Sequence, residues 1–207
     1  MNIKPMIFNT EMVRALLDGR KVQTRRPIKP APEMVTDRSI ATWEGDPAAL
    51  MRLLEQAGRK CPYGQPGDLI YVRETFSETD IRTAYKADSD DGIHCIVKRW
   101  APSIQMPRWA SRLTLKVTGV RVERVASITL QDAMAEGIEK QEGTAHWKQY
   151  DPQGAWRYWE SAVQSFRTLW CSIYGDESWS RNDWAWVIDF EVIRQNVDEY
   201  LKEQERA

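Results

Sequence analysis

Trp184-Ala185-Trp186-Val187-Ile188-Asp189-Phe190-Glu191-Val192-Ile193 is the strongest strand signal in the chain. Aromatic and β-branched side chains fit a pleated surface much better than a helix, and a strand needs neighbours to satisfy its backbone. The search for those neighbours constrains the fold. Pro5 to Phe8, Val22 to Arg26 (ended by Pro27), Leu69 to Phe76, Thr83 to Lys86 and Ile93 to Val97 all read as short strands. Leu113 to Val117 and Val120 to Val125 alternate around Thr118-Gly119, which predicts either a tight hairpin or one long strand with a glycine bulge.

Helical spacing interrupts these strands. Met12, Val13, Leu16 and Leu17 follow a cap at Asn9 or Thr10 and stop at Gly19. Asp46-Pro47 opens a second helix carrying Leu50, Leu53 and Leu54, which stops at Gly58. Ser127 to Ile138 reads as a capped helix, and Gly154 to Tyr174 as a longer one with Trp156, Trp159, Val163, Phe166, Leu169 and Trp170 near one face. Residues 27–45 and 139–153 read as loops, and the tail from Asn196 as a charged helix with little apolar stripe. Six or seven short strands with two or three helices predict an α+β protein built on a small barrel.

Composition narrows the class. Hydrophobic residues make up 42% of the 207, enough for a sizeable core. No apolar run approaches the roughly 18 residues of a membrane span, and Met1 to Pro5 shows no signal-peptide pattern, so the expectation is a cytoplasmic protein without a membrane partner. Cys61, Cys95 and Cys171 are odd in number and lack CxxC spacing, and His94 and His146 stand apart, so no metal site or cofactor is expected. The net charge of −1 hides two basic stretches, 14–29 and 98–124, while acidic residues gather at 74–91 and 132–142.

The chemistry concentrates in Gly19-Arg20-Lys21-Val22-Gln23-Thr24-Arg25-Arg26, where a lysine, a hydroxyl and an arginine follow a helix stop. Taken alone, Lys21 on an exposed turn is a solvated cation, and Thr24 in a strand packs its methyl. Arg26 alone reads as the partner of a carboxylate such as Glu74. The spacing G-x-K-x-x-x-x-R, however, resembles the signature of ASCH domains, small β-barrels related to the PUA domains that bind RNA. The order of parts also resembles that family: strand, helix, motif turn, the Gly67-Asp68 turn opening a strand, a hairpin over Leu113 to Val125, a helix over Thr129 to Ile138, and the final strand from Trp184. The overall cast also resembles the longer ASCH proteins carried by bacteriophages and prophages. The resemblance implies one PUA-like domain over 1–195, with peripheral helices and insertions at about 27–65, 77–110 and 139–183, followed by a charged helical tail over 196–207.

Small bacterial members of the family are amidohydrolases that release acetate from N4-acetylcytidine with a lysine, a threonine and a glutamate. On this chain the resemblance assigns those roles to Lys21, Thr24 and Glu136, the last standing in Ala133-Met134-Ala135-Glu136. Thr24 would be the nucleophile, Lys21 its base, and Glu136 would orient water or donate to the leaving nitrogen. Arg26 suits an oxyanion or a phosphate, and Arg73 and Glu74 complete the substrate contacts, with Glu74 a rival acid.

Two other functions fit the same residues. A nucleic-acid-binding module would grip a single strand of RNA or DNA along an open groove lined by Arg26, Arg108, Trp109 and Arg112. A phage accessory protein would meet a host protein through the tryptophan-rich segment 154–174.

Overall fold

The computed structural model describes residues 1–35, 40–88, 92–150 and 159–206. In chain order the elements are β1 (Ile3–Ile7), α1 (Thr10–Leu17), β2 (Gln23–Pro27), β3 (Glu33–Val35), β4 (Ile40–Thr42), α2 (Pro47–Gln56), β5 (Leu69–Arg73), β6 (Phe76–Glu78) and β7 (Thr83–Tyr85). There follow β8 (Thr114–Arg124), α3 (Leu130–Ala135), α4 (Ala162–Tyr174), α5 (Asp176–Ser180), β9 (Trp184–Ile193) and α6 (Val197–Arg206). The protein is therefore mixed α+β, and its main sheet has five strands in the order β1-β5-β8-β9-β2. β1 and β2 are the edges of that sheet, so it is open among the described residues. No helix among them is long and apolar enough to cross a membrane.

Two compact units divide the chain, and each is assembled from separated segments. Met1–Gly19, Pro62–Thr118 and Phe190–Ala207 form one. Within it β1 pairs in parallel with β5, Ile3 facing Leu69, and β5 pairs antiparallel with β8, Leu69 facing Lys116. Phe8, Val13, Leu16, Ile70, Val72, Leu113, Leu115 and Val117 are buried there. Asn9 caps α1 by accepting a hydrogen bond from the Met12 amide at 2.8 Å, and Gly19, at φ +74°, ends it in a conformation that costs other residues strain. Asp68 holds the turn into β5 by accepting from the Asn2 and Gln65 amides at 2.7 and 3.0 Å.

Arg20–Cys61 and Gly119–Asp189 form the other unit. Here β2 runs antiparallel to β9, with Gln23 opposite Asp189 and Arg26 opposite Trp186. Trp184 to Ile188 are all buried, as a strand covered on both faces requires. α4 turns Ala162, Ser165, Phe166, Leu169 and Trp170 inward at helical spacing.

Several sequence expectations need correcting. Of the two readings of Leu113 to Val125, the single strand holds and the hairpin does not: β8 runs unbroken through Gly119. Ile93 to Val97 forms a 3-10 turn instead of a strand. Gly92 takes φ +90°, and the Cys95 and Val97 amides donate locally to the Gly92 and His94 carbonyls. The stretch read as a 27–45 loop contains the β3–β4 pair. The long helix begins only at Ala162, because Ser161 caps it and Trp159 is engaged with Trp147 in a two-way backbone bridge. Its expected start at Gly154, with Trp156, lies outside the described residues.

Candidate functional site

Lys21 and Glu136 come together through two helix stops. The first, at Gly19, releases the chain toward β2. The second ends α3, whose start Thr129 and Asp132 fix in a reciprocal capping box. At its far end the Gly137 amide donates to Met134 O and the Ile138 amide to Ala133 O, with Gly137 at φ +88°. This paired pattern closes a helix with glycine just past the cap, and the cap residue is Glu136. Val22 donates to Ala135 O at 2.9 Å, and Lys21 bridges to Glu136 through the backbone.

The side chains continue what the backbone begins. Lys21 Nζ donates to Glu136 Oε2 at 2.7 Å and to the Glu136 carbonyl at 2.9 Å. Lys21 is 0% exposed, which overturns the picture of a solvated turn lysine. Burial lowers its pKa below the ordinary lysine value. Glu136 opposes that by charge and hydrogen bond, while Arg26 and Arg25 add to it by repulsion. Two of the ammonium's three donors are used among the described residues.

Around this pair lies a set of charges that the motif alone did not reveal. Arg25 donates to Gln23 Oε1 at 2.5 Å and to Glu123 Oε2 at 2.8 Å, and it reaches Glu136 Oε1 at 3.4 Å and Asp132 Oδ2 at 3.3 Å. Gln23 donates onward to Asp132 and Asp189. Arg121 ties Glu123, Asp132 and Asp189 together. Burial works to raise the pKa of Asp132, but hydrogen bonds from Thr129 and Gln23 and the Arg25 charge outweigh it, so Asp132 stays below the ordinary carboxylate range. Strand periodicity was the available signal. Lys21, Gln23 and Arg25 stand two apart, and polar residues at that spacing beside a strand buried on both faces mark an internal network.

The remaining assigned residues are placed as follows. Thr24 is buried in β2 opposite Ile188, on the alternate parity from Gln23 and Arg25, and no hydrogen bond joins it to Lys21 or Glu136. Arg26 is half-buried and donates to the Tyr174 hydroxyl at 3.2 Å.

Arg73 and Glu74 belong to the other unit. There Arg73 donates to the carbonyls of Met106 and Ile104. Glu74 pairs with Arg112, not Arg26. Arg112 Nε and one terminal nitrogen meet the two Glu74 oxygens at 2.9 and 3.0 Å, and the other terminal nitrogen meets Asp88 at 2.6 Å. The guanidinium lies 4.0 Å from the Tyr85 ring centre. Burial raises the pKa of Glu74, against the pull of Arg112 and with help from Asp88. Arg108 is paired with Asp198, while Trp109 is 61% exposed. Two of the three arginines of the expected nucleic-acid surface, Arg108 and Arg112, thus already hold carboxylates. Phe166 and Trp170 of α4 are buried in the interior. Among the described residues, no group of three or more His, Cys, Asp and Glu is arranged to hold a metal ion.

Comparison with protein-family models, with curated proteins and with solved structures found no match to this chain.

Proposed function

We propose that this protein is an amidohydrolase acting on N4-acylated cytidine or a related modified nucleoside, on a PUA-like (ASCH) fold in a cytoplasmic setting. The observation that carries the reading is the completely buried Lys21–Glu136 contact at 2.7 Å, made by residues 115 apart in the chain. The family resemblance singled out that same pair. A surface ion pair would need no such burial, whereas a proton-transferring lysine does: desolvation brings its neutral, basic form within reach.

In this mechanism neutral Lys21 takes the proton of the attacking oxygen as that oxygen bonds to the acyl carbon. The carbonyl π electrons move onto oxygen, which Arg26 stabilises as a permanent cation with a rigid donor fork. Collapse breaks the C–N bond, and the proton passes through the Lys21–Glu136 pair to the departing cytosine nitrogen. With Thr24 as nucleophile, water then hydrolyses the acyl-threonine, giving carboxylic acid and cytidine. The parity of β2 makes Thr24 the assignment to probe first, because a water oriented by Glu136 can attack in the same site.

The test is incubation of the protein with a panel of N4-acylated cytidines, with chromatography for released cytidine. Wild type is expected to release cytidine, and Lys21→Met and Glu136→Gln to release none above background. Loss in Thr24→Val with retention in Thr24→Ser assigns attack to the hydroxyl, and retention in both assigns it to water. Release of no cytidine by folded wild type across the panel overturns the reading.

A further inference from the structure

Arg25 has no role in the motif, yet it is the most completely enclosed cation beside the proposed site. Its side chain is 0% exposed. One terminal nitrogen is shared between Gln23 Oε1 and Glu136 Oε1, and the other between Glu123 Oε2 and Asp132 Oδ2. The guanidinium carbon lies 6.0 Å from the Phe166 ring centre. Each anchor is itself anchored. Gln23 is held by Asp132 and Asp189, and Glu123, Asp132 and Asp189 are held by Arg121. A group gripped this way has one available position.

The division of Glu136 follows from that grip. Oε2 faces Lys21 Nζ at 2.7 Å and Oε1 faces Arg25 at 3.4 Å, so two cations share one carboxylate. We infer that Arg25 is a positioning residue, which withholds half of Glu136 from Lys21 and thereby keeps Lys21 able to act as a base. This inference rests on the amidohydrolase reading for its purpose, though not for its test.

Arg25 acts on Lys21 in two ways, both of the same sign. Arg25 repels a proton on Lys21 directly. It also draws Glu136 away from an undivided salt bridge, which would lock Lys21 as ammonium. The other charges facing Lys21 are Glu136 itself from the end of α3 and Arg26 from β2. Beyond them stand Asp132 on α3, Glu123 and Arg121 on β8, and Asp189 on β9. Arg25 makes hydrogen-bond or ion-pair contacts both to Glu136 and to Gln23, Glu123 and Asp132 around it.

The experiment follows the Lys21 side chain by site-resolved NMR through a pH titration, using lysine labelled at Cε and the full chain without substrate. In Arg25→Gln the Lys21 midpoint is expected to rise toward that of an ordinary lysine, and in Arg25→Lys to stay close to wild type. In the cytidine-release assay Arg25→Gln is expected to lower kcat about tenfold at neutral pH, part of the range that general acid–base catalysis supplies. KM is expected to stay within about twofold, and kcat to recover as pH rises, a profile that a merely structural defect would not give. An unchanged Lys21 midpoint in folded Arg25→Gln overturns the inference. If Arg25→Gln does not fold, the double variant Arg25→Gln/Glu123→Gln, which removes the paired opposite charge along with the cation, takes its place: a raised midpoint supports the inference and an unmoved one overturns it. Because the NMR arm needs no substrate, inactive wild type would defeat the amidohydrolase reading and leave the titration to decide the role of Arg25.

Discussion

Each unit of this protein buries a carboxylate against a cation, and the two pairs are built to opposite ends. Glu74 meets Arg112 through two parallel hydrogen bonds, while Glu136 meets Lys21 through one ammonium and is shared with Arg25. An arginine keeps its proton whatever its surroundings, and here Glu74 and Asp88 raise the Arg112 pKa further despite the penalty of burial. A lysine yields to burial, and Lys21 has been moved toward release of its proton. The same ingredients therefore give a static clamp in one place and a titratable pair in the other. What separates the two pairs is the identity of the cation and the number of claims on the carboxylate.

The sharpest way to break this comparison is to remove the titratable partner. Lys21→Met, which keeps the buried stem, should cut cytidine release by about a hundredfold or more, while Arg112→Met should leave the rate of any folded fraction nearly untouched. Equal losses in both would show that the two pairs do not differ in kind.

Stability should treat the two pairs alike. Lys21→Ala and Arg112→Ala each strand a buried carboxylate, and each is expected to cost about 3–5 kcal/mol in urea unfolding. That expectation replaces the one suggested by the sequence, where a turn lysine could be removed with little effect. A near-neutral Lys21→Ala would mean that Arg25 alone satisfies Glu136.

The pH dependence should have opposite signs. The folded pKa of Lys21 lies below 10.5, so the unfolded chain holds that proton more tightly, and stability should rise with pH from the folded value up to 10.5. Glu74 lies above 4.5 in the fold, so its contribution is full below 4.5 and is lost as pH rises through the folded value. Lys21→Met should flatten the alkaline slope and Glu74→Gln the acidic one, each read from unfolding midpoints across pH. The smallest expected effect is local: Thr129→Ala removes the cap of α3 and should cost about 1 kcal/mol. With it should come a modest loosening of the helix end that presents Glu136, visible as faster exchange of the Gly137 and Ile138 amides.

The parts of this arrangement legible in the sequence are those set by local chemistry. Asn9, Gly19, Asp46 and Thr129 announced their helices because caps and stops act within one turn. The partnership of Lys21 with Glu136 was legible only through a family resemblance, since no local rule links residues so far apart. The two-residue spacing of Lys21, Gln23 and Arg25 could have placed them on one face, but which carboxylates meet Arg25 stayed hidden, because a charge looks the same in a string whether water or carboxylates surround it. Ile93 to Val97 misled for a related reason: its β-branched content is real, but Gly92 leads the backbone into a 3-10 turn. Arg112 was read as a phosphate grip, and only its geometry to Glu74 and Asp88 shows it already occupied.

The pairing of β2 with β9 joins residues as much as 166 apart, Gln23 with Asp189 among them. A ribosome adding roughly 5–20 residues per second would have made the Lys21 segment about ten to thirty seconds before its strand partner emerges. Throughout that interval the lysine stands in water as an ordinary ammonium and the strand edge is open to other chains. The surroundings of this residue are thus completed late, once Glu136 and then β9 have been made, and the polar run Arg20 to Arg26 keeps the waiting segment soluble until then.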